Sequence, residues 1–204
     1  MKTRVILVRH GQSTFNLKKL IQGQIDVSEL TELGIEQAQR VGETLKGIPF
    51  DQIYASPLKR AYKTAETIVE VLQSEIPETP LPQASDTIKE INLPLWEGMS
   101  FAEAETKYPD IYHLWRNDPV NCMMPLADGT EFYPVRSLYE RPSQFWQEML
   151  PQHPGQTVLV VAHSAINRAL IATALSKGPE IHEQLGQANC AISVMNFASG
   201  LEGD

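Results

Sequence analysis

Only two of the 204 residues are cysteine, Cys122 and Cys190. They show no metal-ligand spacing, which excludes a disulfide framework and a cysteine-based metal site, so both thiols are read as reduced and structural. No apolar run reaches the length of a membrane span, and the charged, polar N-terminus lacks the features of a signal peptide. The expectation is a soluble, cytoplasmic protein with no membrane partner. Blocks of lysine or arginine are also missing: 17 basic residues stand against 25 acidic ones, a formal net charge of -8. That balance argues against nucleic acid as a partner. It also means that a small anion is not drawn in by the molecule as a whole, so a pocket for one must concentrate its few positive charges locally. No Gly/Ser-rich or charge-rich linker, repeat or low-complexity tract divides the chain, which is read as a single domain over 1–204 with a substantial core.

What is present begins at once. Arg4-Val5-Ile6-Leu7-Val8-Arg9-His10-Gly11-Gln12 contains five aliphatic or β-branched residues, too few for a helix and closed by a glycine, as expected of a strand buried on both faces. Arg9 and His10 fall at its carboxyl end, the edge of an open α/β sheet where ligands bind. A cation and an imidazole delivered there together suit an anionic ligand and a proton-handling or nucleophilic group, and a phosphate satisfies both. Arg-His-Gly alone is a weak motif. The run Thr157-Val158-Leu159-Val160-Val161-Ala162-His163-Ser164 repeats the design, however: an apolar strand, a histidine at its end, then a small residue opening a helical stretch.

Between these strands, 13–28 has the composition of a long loop. Thr31 is an N-cap for a helix with Ile35, Ala38, Gly42 and Leu45 on one face, stopped by Gly47 and Pro49. A strand is predicted over 52–55, and Ser56-Pro57 supplies the N-cap and first position of a helix whose apolar face is Ala61, Ala65, Ile68 and Leu72. Arg60 sits in its first turn, where a helix N-terminus makes an arginine costly unless an anion is near. A third extended piece is expected over 86–93 with Glu90 inside it, then helices over 101–108 and 110–117. Segment 119–134 reads as a loop carrying Met123, Met124 and Phe132, either part of a lid over 96–134 that shapes a pocket or plain packing against the core. Pro142 is expected to break or kink a helix over 135–150 near Arg141. A strand over 157–162, a helix over 166–175 and a last strand over 191–197 complete an α/β order, predicting a mainly parallel central sheet with helices on both faces.

These blocks together resemble the histidine phosphatase superfamily, also called the phosphoglycerate mutase-like family. The resemblance rests on Leu7-Val8-Arg9-His10-Gly11-Gln12-Ser13 with Asn16, Gln22-Gly23, Asp26 and Leu30-Thr31-Glu32-Leu33-Gly34. It continues through Tyr54-Ala55-Ser56-Pro57-Leu58-Lys59-Arg60-Ala61, Glu90 ahead of Trp96-Glu97-Gly98, and Val160-Val161-Ala162-His163. It implies a three-layer fold and a metal-independent, cofactor-free phosphomonoesterase of the phosphatase branch, acting through a phosphohistidine on a small phosphorylated metabolite. Phosphoserine ranks first as substrate, because Glu90-Ile91-Asn92-Leu93 resembles metal-independent phosphoserine phosphatases. By resemblance, His10 is the nucleophile, and Arg9, Arg60 and a protonated His163 hold the phosphate oxygens. Glu90 is the general acid, protonated through burial or the adjoining phosphate, while Asn16, Gln22 and Gly23 line the phosphate or substrate mouth. A homodimer is compatible with this reading.

The alternatives are a phosphoglycerate mutase, or a phospholigand-binding domain without turnover. Departures from the family pattern are Gln12 where glutamate is common, Ser164 where glycine is common, and Gly129-Thr130-Glu131 where relatives carry Gly-Glu-Ser. The chain also ends soon after Phe197, where relatives add another strand, which suggests a truncated form or half of a tandem protein.

Overall fold

The computed structural model describes residues 2–198. Its centre is β1 (Lys2–Arg9), whose interior residues Val5 to Val8 are all buried, as the unbroken apolar run requires. On one side β1 pairs in parallel with β6 (Thr157–Ala162), and on the other it pairs antiparallel with β7 (Ile192–Ala198). Beyond β6 lie β2 (Gln52–Ala55) and the two-residue β3 (Gln83–Ala84), both parallel, so the sheet order is β3-β2-β6-β1-β7.

Strand pleating divides the sheet's side chains between two cores. Ile6, Val8, Ile53, Ala55, Leu159 and Val161 face one way, against α2 (Glu32–Leu45) and α3 (Lys59–Gln73). Val5, Leu7, Tyr54, Val158, Val160 and Ala162 face the other, against α6 (Pro134–Met149) and α7 (Ser164–Ala174). Period-2 alternation into two apolar layers makes this a three-layer α/β fold with a mixed, mainly parallel sheet. The second core also receives Trp96, Ala104, Cys122 and Met124. These belong to the stretch that carries α4 (Phe101–Lys107), α5 (Pro109–Asn117) and a hairpin of β4 (Met124–Pro125) and β5 (Glu131–Phe132). Among the described residues no helix is long and apolar enough to cross a membrane.

Four expectations need correction. The 13–28 loop contains a short helix, α1 (Thr14–Lys18), held by a reciprocal cap in which Ser13 and Asn16 serve each other's backbone N–H. Segment 86–93 is not extended: one turn of 3₁₀ helix covers Asp86–Ile88, and sheet pairing is confined to β3, immediately after Pro80 and Pro82. The helix expected from Ser56-Pro57 begins at Lys59 instead, because its first N–H is capped from outside by Asp26 Oδ1 at 2.7 Å. Finally, α6 runs through Pro142 as one helix. Proline removes one hydrogen bond there, but Val135, Leu138, Pro142, Phe145, Trp146 and Met149 form a buried stripe whose packing holds the helix across it.

Candidate active site

The register of β1 and β6 pairs Arg9 with Ala162, so the residues that follow, His10 and His163, leave the sheet side by side. Their ring centroids lie 5.2 Å apart, edge to face, and both side chains are buried. The His10 main-chain N–H donates to Ala162 O at 2.9 Å, which ties the two strand ends together. His10 Nδ1 lies 2.7 Å from the Gly11 carbonyl. A carbonyl can only accept, so Nδ1 carries the ring proton and the Nε2 lone pair is left free. Gly11 permits a close crossing: a Cβ there would stand 2.3 Å from Gly34 O, and one on Gly34 would stand 2.1 Å from Gln12 O. Each glycine therefore makes room for the other's strand of backbone.

Arg60, the second residue of α3, is completely buried. It donates to Gly23 O at 2.8 Å and Ile25 O at 3.0 Å. Gly23 contributes this carbonyl from a backbone of φ +50°, and a Cβ at that position would collide with Glu97 Oε1 at 2.1 Å. Arg9 donates to Gln187 O, and the Gln187 side chain is itself held by Asn167 and Ser193. After these bonds, Arg9 Nε, Arg60 Nε and His163 Nδ1 are buried without a partner among the described residues. Buried donors left unpaired are costly, and these three, one of them on the histidine pair itself, are groups that an anion with several oxygens would satisfy.

Electrostatics agrees with that shape. Burial, then Arg60 and Arg9, holds the His10 imidazole well below the usual histidine range. Burial, followed by Arg60, His10, Arg9 and Arg141, does the same to His163. The expectation of a protonated His163 therefore depends on an anion in the pocket, because burial and then the neighbouring cations both oppose the charge on this ring. His163 Nε2 lies 2.7 Å from Ser56 Oγ. A Ser56 hydroxyl donating to Nε2 leaves the ring N–H on Nδ1, the nitrogen without a partner. Burial also pushes the Cys190 thiol up to about 12, although it follows the pocket backbone closely through Arg9 O.

Glu90 comes to the same edge from the irregular segment after the 3₁₀ turn. Its Oε1 accepts from the N–H groups of Ile91, Ala165 and Ile166 at 2.9, 3.1 and 3.2 Å. Two of these belong to the first turn of α7, whose dipole end favours a carboxylate. Arg141 of α6 grips the main chain here, donating to Lys89 O at 2.6 Å and Glu90 O at 3.0 Å. Gln24 Nε2 adds a bond to Glu90 O at 2.8 Å.

The remaining expected residues lie one layer out. Asn16 Oδ1 accepts from Asn189 Nδ2, which also donates to His10 O, both at 3.1 Å. Gln22 Oε1 accepts from Ser13 Oγ at 2.8 Å. Asn16 and Gln22 therefore shape the loop around His10 through hydrogen bonds to neighbouring polar groups. Sequence reasoning overlooked Ser56 as a partner of His163, along with Arg141, Gln187 and Asn189. Ser56 was visible only as a helix cap, and the other three carry no local signal. Among the described residues, no three His, Cys, Asp or Glu side chains converge as a metal site requires.

Comparison with known proteins identifies the family. The chain is 40% identical over 194 residues to 2-carboxy-D-arabinitol-1-phosphatase of Triticum aestivum, covering 95% of this chain and 37% of that protein. It is 32% identical over 194 residues to phosphoserine phosphatase 1 of Hydrogenobacter thermophilus, covering 95% and 86%. The chain thus spans about two fifths of the length of the first relative and most of the second. Among solved structures, the Entamoeba histolytica phosphoserine phosphatase in complex with 3-phosphoglyceric acid superposes with a TM-score of 0.76 at 30% identity. That match covers 94% of this chain and 89% of the other. The family model of the histidine phosphatase superfamily (branch 1) matches residues 5–202, nearly the whole sequence, and this protein belongs to that superfamily.

Proposed function

We propose that the chain is a metal-independent phosphomonoesterase that works through a phosphohistidine at His10. The observation that carries this reading is the pairing of a fixed His10 tautomer with buried, unpartnered donors on Arg9, Arg60 and His163. His10 Nε2 attacks phosphorus and the ester P–O bond breaks in line. Arg9, Arg60 and His163 offset charge on the equatorial oxygens, His163 gaining a proton as the dianion enters. Glu90 gives its proton to the leaving alkoxide, and Arg141 and Gln24 keep its backbone in place. Water then attacks the phosphohistidine with Glu90 taking a proton, which restores His10 and releases phosphate.

Phosphoserine is the first substrate to test, as the relatives at 32% and 30% identity bear that name. The relative at 40% identity adds 2-carboxy-D-arabinitol 1-phosphate beside it. The test is phosphate release from these two, phosphothreonine, phosphoglycerates, sugar phosphates and nucleotides, before and after exhaustive chelation. Turnover of at least one small phosphomonoester should survive chelation. Activity lost in EDTA and restored by magnesium or zinc contradicts the proposal.

A further inference from the structure

A cleft of about 580 Å³ opens beside Glu90. Two residues of its wall, Ile91 and Ala165, are among those whose N–H groups hold the Glu90 carboxylate. The Glu90 carboxylate is thus anchored to backbone that also forms part of the cleft wall. In the proposed reaction the leaving oxygen takes its proton from Glu90, so the rest of the alcohol lies near Glu90, and the cleft that shares its anchoring residues is the space within reach. Its volume falls within the range of small-molecule sites.

Two cations stand in the wall of this cleft in an otherwise acidic protein. Arg116 of α5 and Arg168 of α7 both line it. Arg168 Nε is buried without a partner among the described residues, and its ion pair is with Glu183, at 3.6 Å. The Glu183 side chain is 87% exposed, so this pair is screened and weak. It nevertheless demonstrates that a carboxylate can sit against that guanidinium. His182, the other titratable group on this wall, bonds Tyr139 Oη at 3.0 Å, and burial holds it down to about 4, so it adds no charge at neutral pH. Trp115 and Phe101 supply apolar wall for a carbon chain.

We infer that this cleft receives the substrate's leaving group and that the leaving group carries a carboxylate, held by Arg168 with Arg116 and displacing Glu183. The inference rests on the phosphatase reading above and narrows it to phosphomonoesters of hydroxy acids. It assigns Arg168 and Arg116 to specificity, a role the sequence motifs do not give them.

The direct test compares 3-phosphoglycerate with glycerol 3-phosphate, which differ only in a carboxylate against a hydroxymethyl group. The ratio of their kcat/KM values should favour the acid by on the order of tenfold or more. Arg168→Met should lower that ratio by a similar factor, mainly through KM for the acid, and Arg168→Lys should restore part of it. Glu183→Gln, an exposed change that spares the fold, should raise the ratio by about threefold as the competing carboxylate is removed. A ratio near one in the unaltered protein, or one that neither Arg168→Met nor Glu183→Gln shifts, overturns the assignment. Hydrolysis of p-nitrophenyl phosphate separates the two readings. If it proceeds while the ratio is near one, the cleft inference alone fails; if it is absent, the phosphatase reading fails and takes the inference with it.

Discussion

His10 and His163 share a buried pocket with Arg9 and Arg60, and neither ring takes a proton easily until something negative joins them. Their folded-state values are depressed, so both stay neutral as pH falls below about 6.5 while the unfolded chain binds protons. Folding stability should therefore fall with pH below that point, by about 1.4 kcal/mol per pH unit for each such histidine. Sulfate, a dianion throughout this range, should reverse part of the fall by letting the site bind protons. Urea denaturation between pH 7 and 5, with and without sulfate, checks this; identical slopes would contradict an anion receptor at these histidines. Glu90 poses a different question, because a carboxylate bonded to two N–H groups at the start of α7 and to that of Ile91 could be purely structural. Glu90→Gln should slow phosphoserine, a poor leaving group, by on the order of a hundredfold, and p-nitrophenyl phosphate far less. Equal losses on both substrates would make the residue a helix cap and nothing more.

Helix α3 carries Arg60, and its first N–H is capped by Asp26, 33 residues earlier in the chain. Asp26→Ala should cost about 1 kcal/mol of stability. It should also lower kcat/KM, since the helix end that aims Arg60 loses its anchor. Denaturation and kinetics on the same variant check both, and unchanged kinetics would detach the cap from the site. This long-range cap also explains what could be read from the sequence and what could not. Strands β1 and β6 were legible, with their histidines, because a continuous apolar run ending at a small residue is a local signal. The start of α2 was legible because Thr31 caps it from the adjacent position, accepting from Gly34 N at 3.1 Å. The start of α3 was misplaced because Ser56 looks like a cap but instead serves His163, while the true cap comes from a distant loop. α1 was missed because its reciprocal cap uses Asn16 where glutamate or glutamine would be the recognisable residue. Pro142 suggested a break that tertiary packing overrides. Arg141 looked like any helix arginine, and only the folded chain brings it to the carbonyls of Lys89 and Glu90.

For the whole molecule, a net charge of -8 and a pocket of guanidiniums are complementary facts. Arg9, Arg60 and two histidines gather at the carboxyl ends of β1 and β6, a concentration of charge and unpaired donors in an otherwise acidic protein. Apolar layers pack against both faces of the sheet from which the two histidines emerge. The other described histidines are engaged elsewhere: His153 with Tyr54 and Gln156, His182 with Tyr139, and His113 with Asn117 on the exposed face of α5. A single histidine should thus carry the phosphoryl group. Quenching a steady-state reaction with labelled substrate should trap a phosphoryl group that is labile in acid and stable in base, mapping to His10. His10→Ala should abolish both label and turnover with the fold intact, whereas His163→Ala should still label, slower by on the order of a hundredfold. A label on His163, or near-full activity in His10→Ala, would contradict the account.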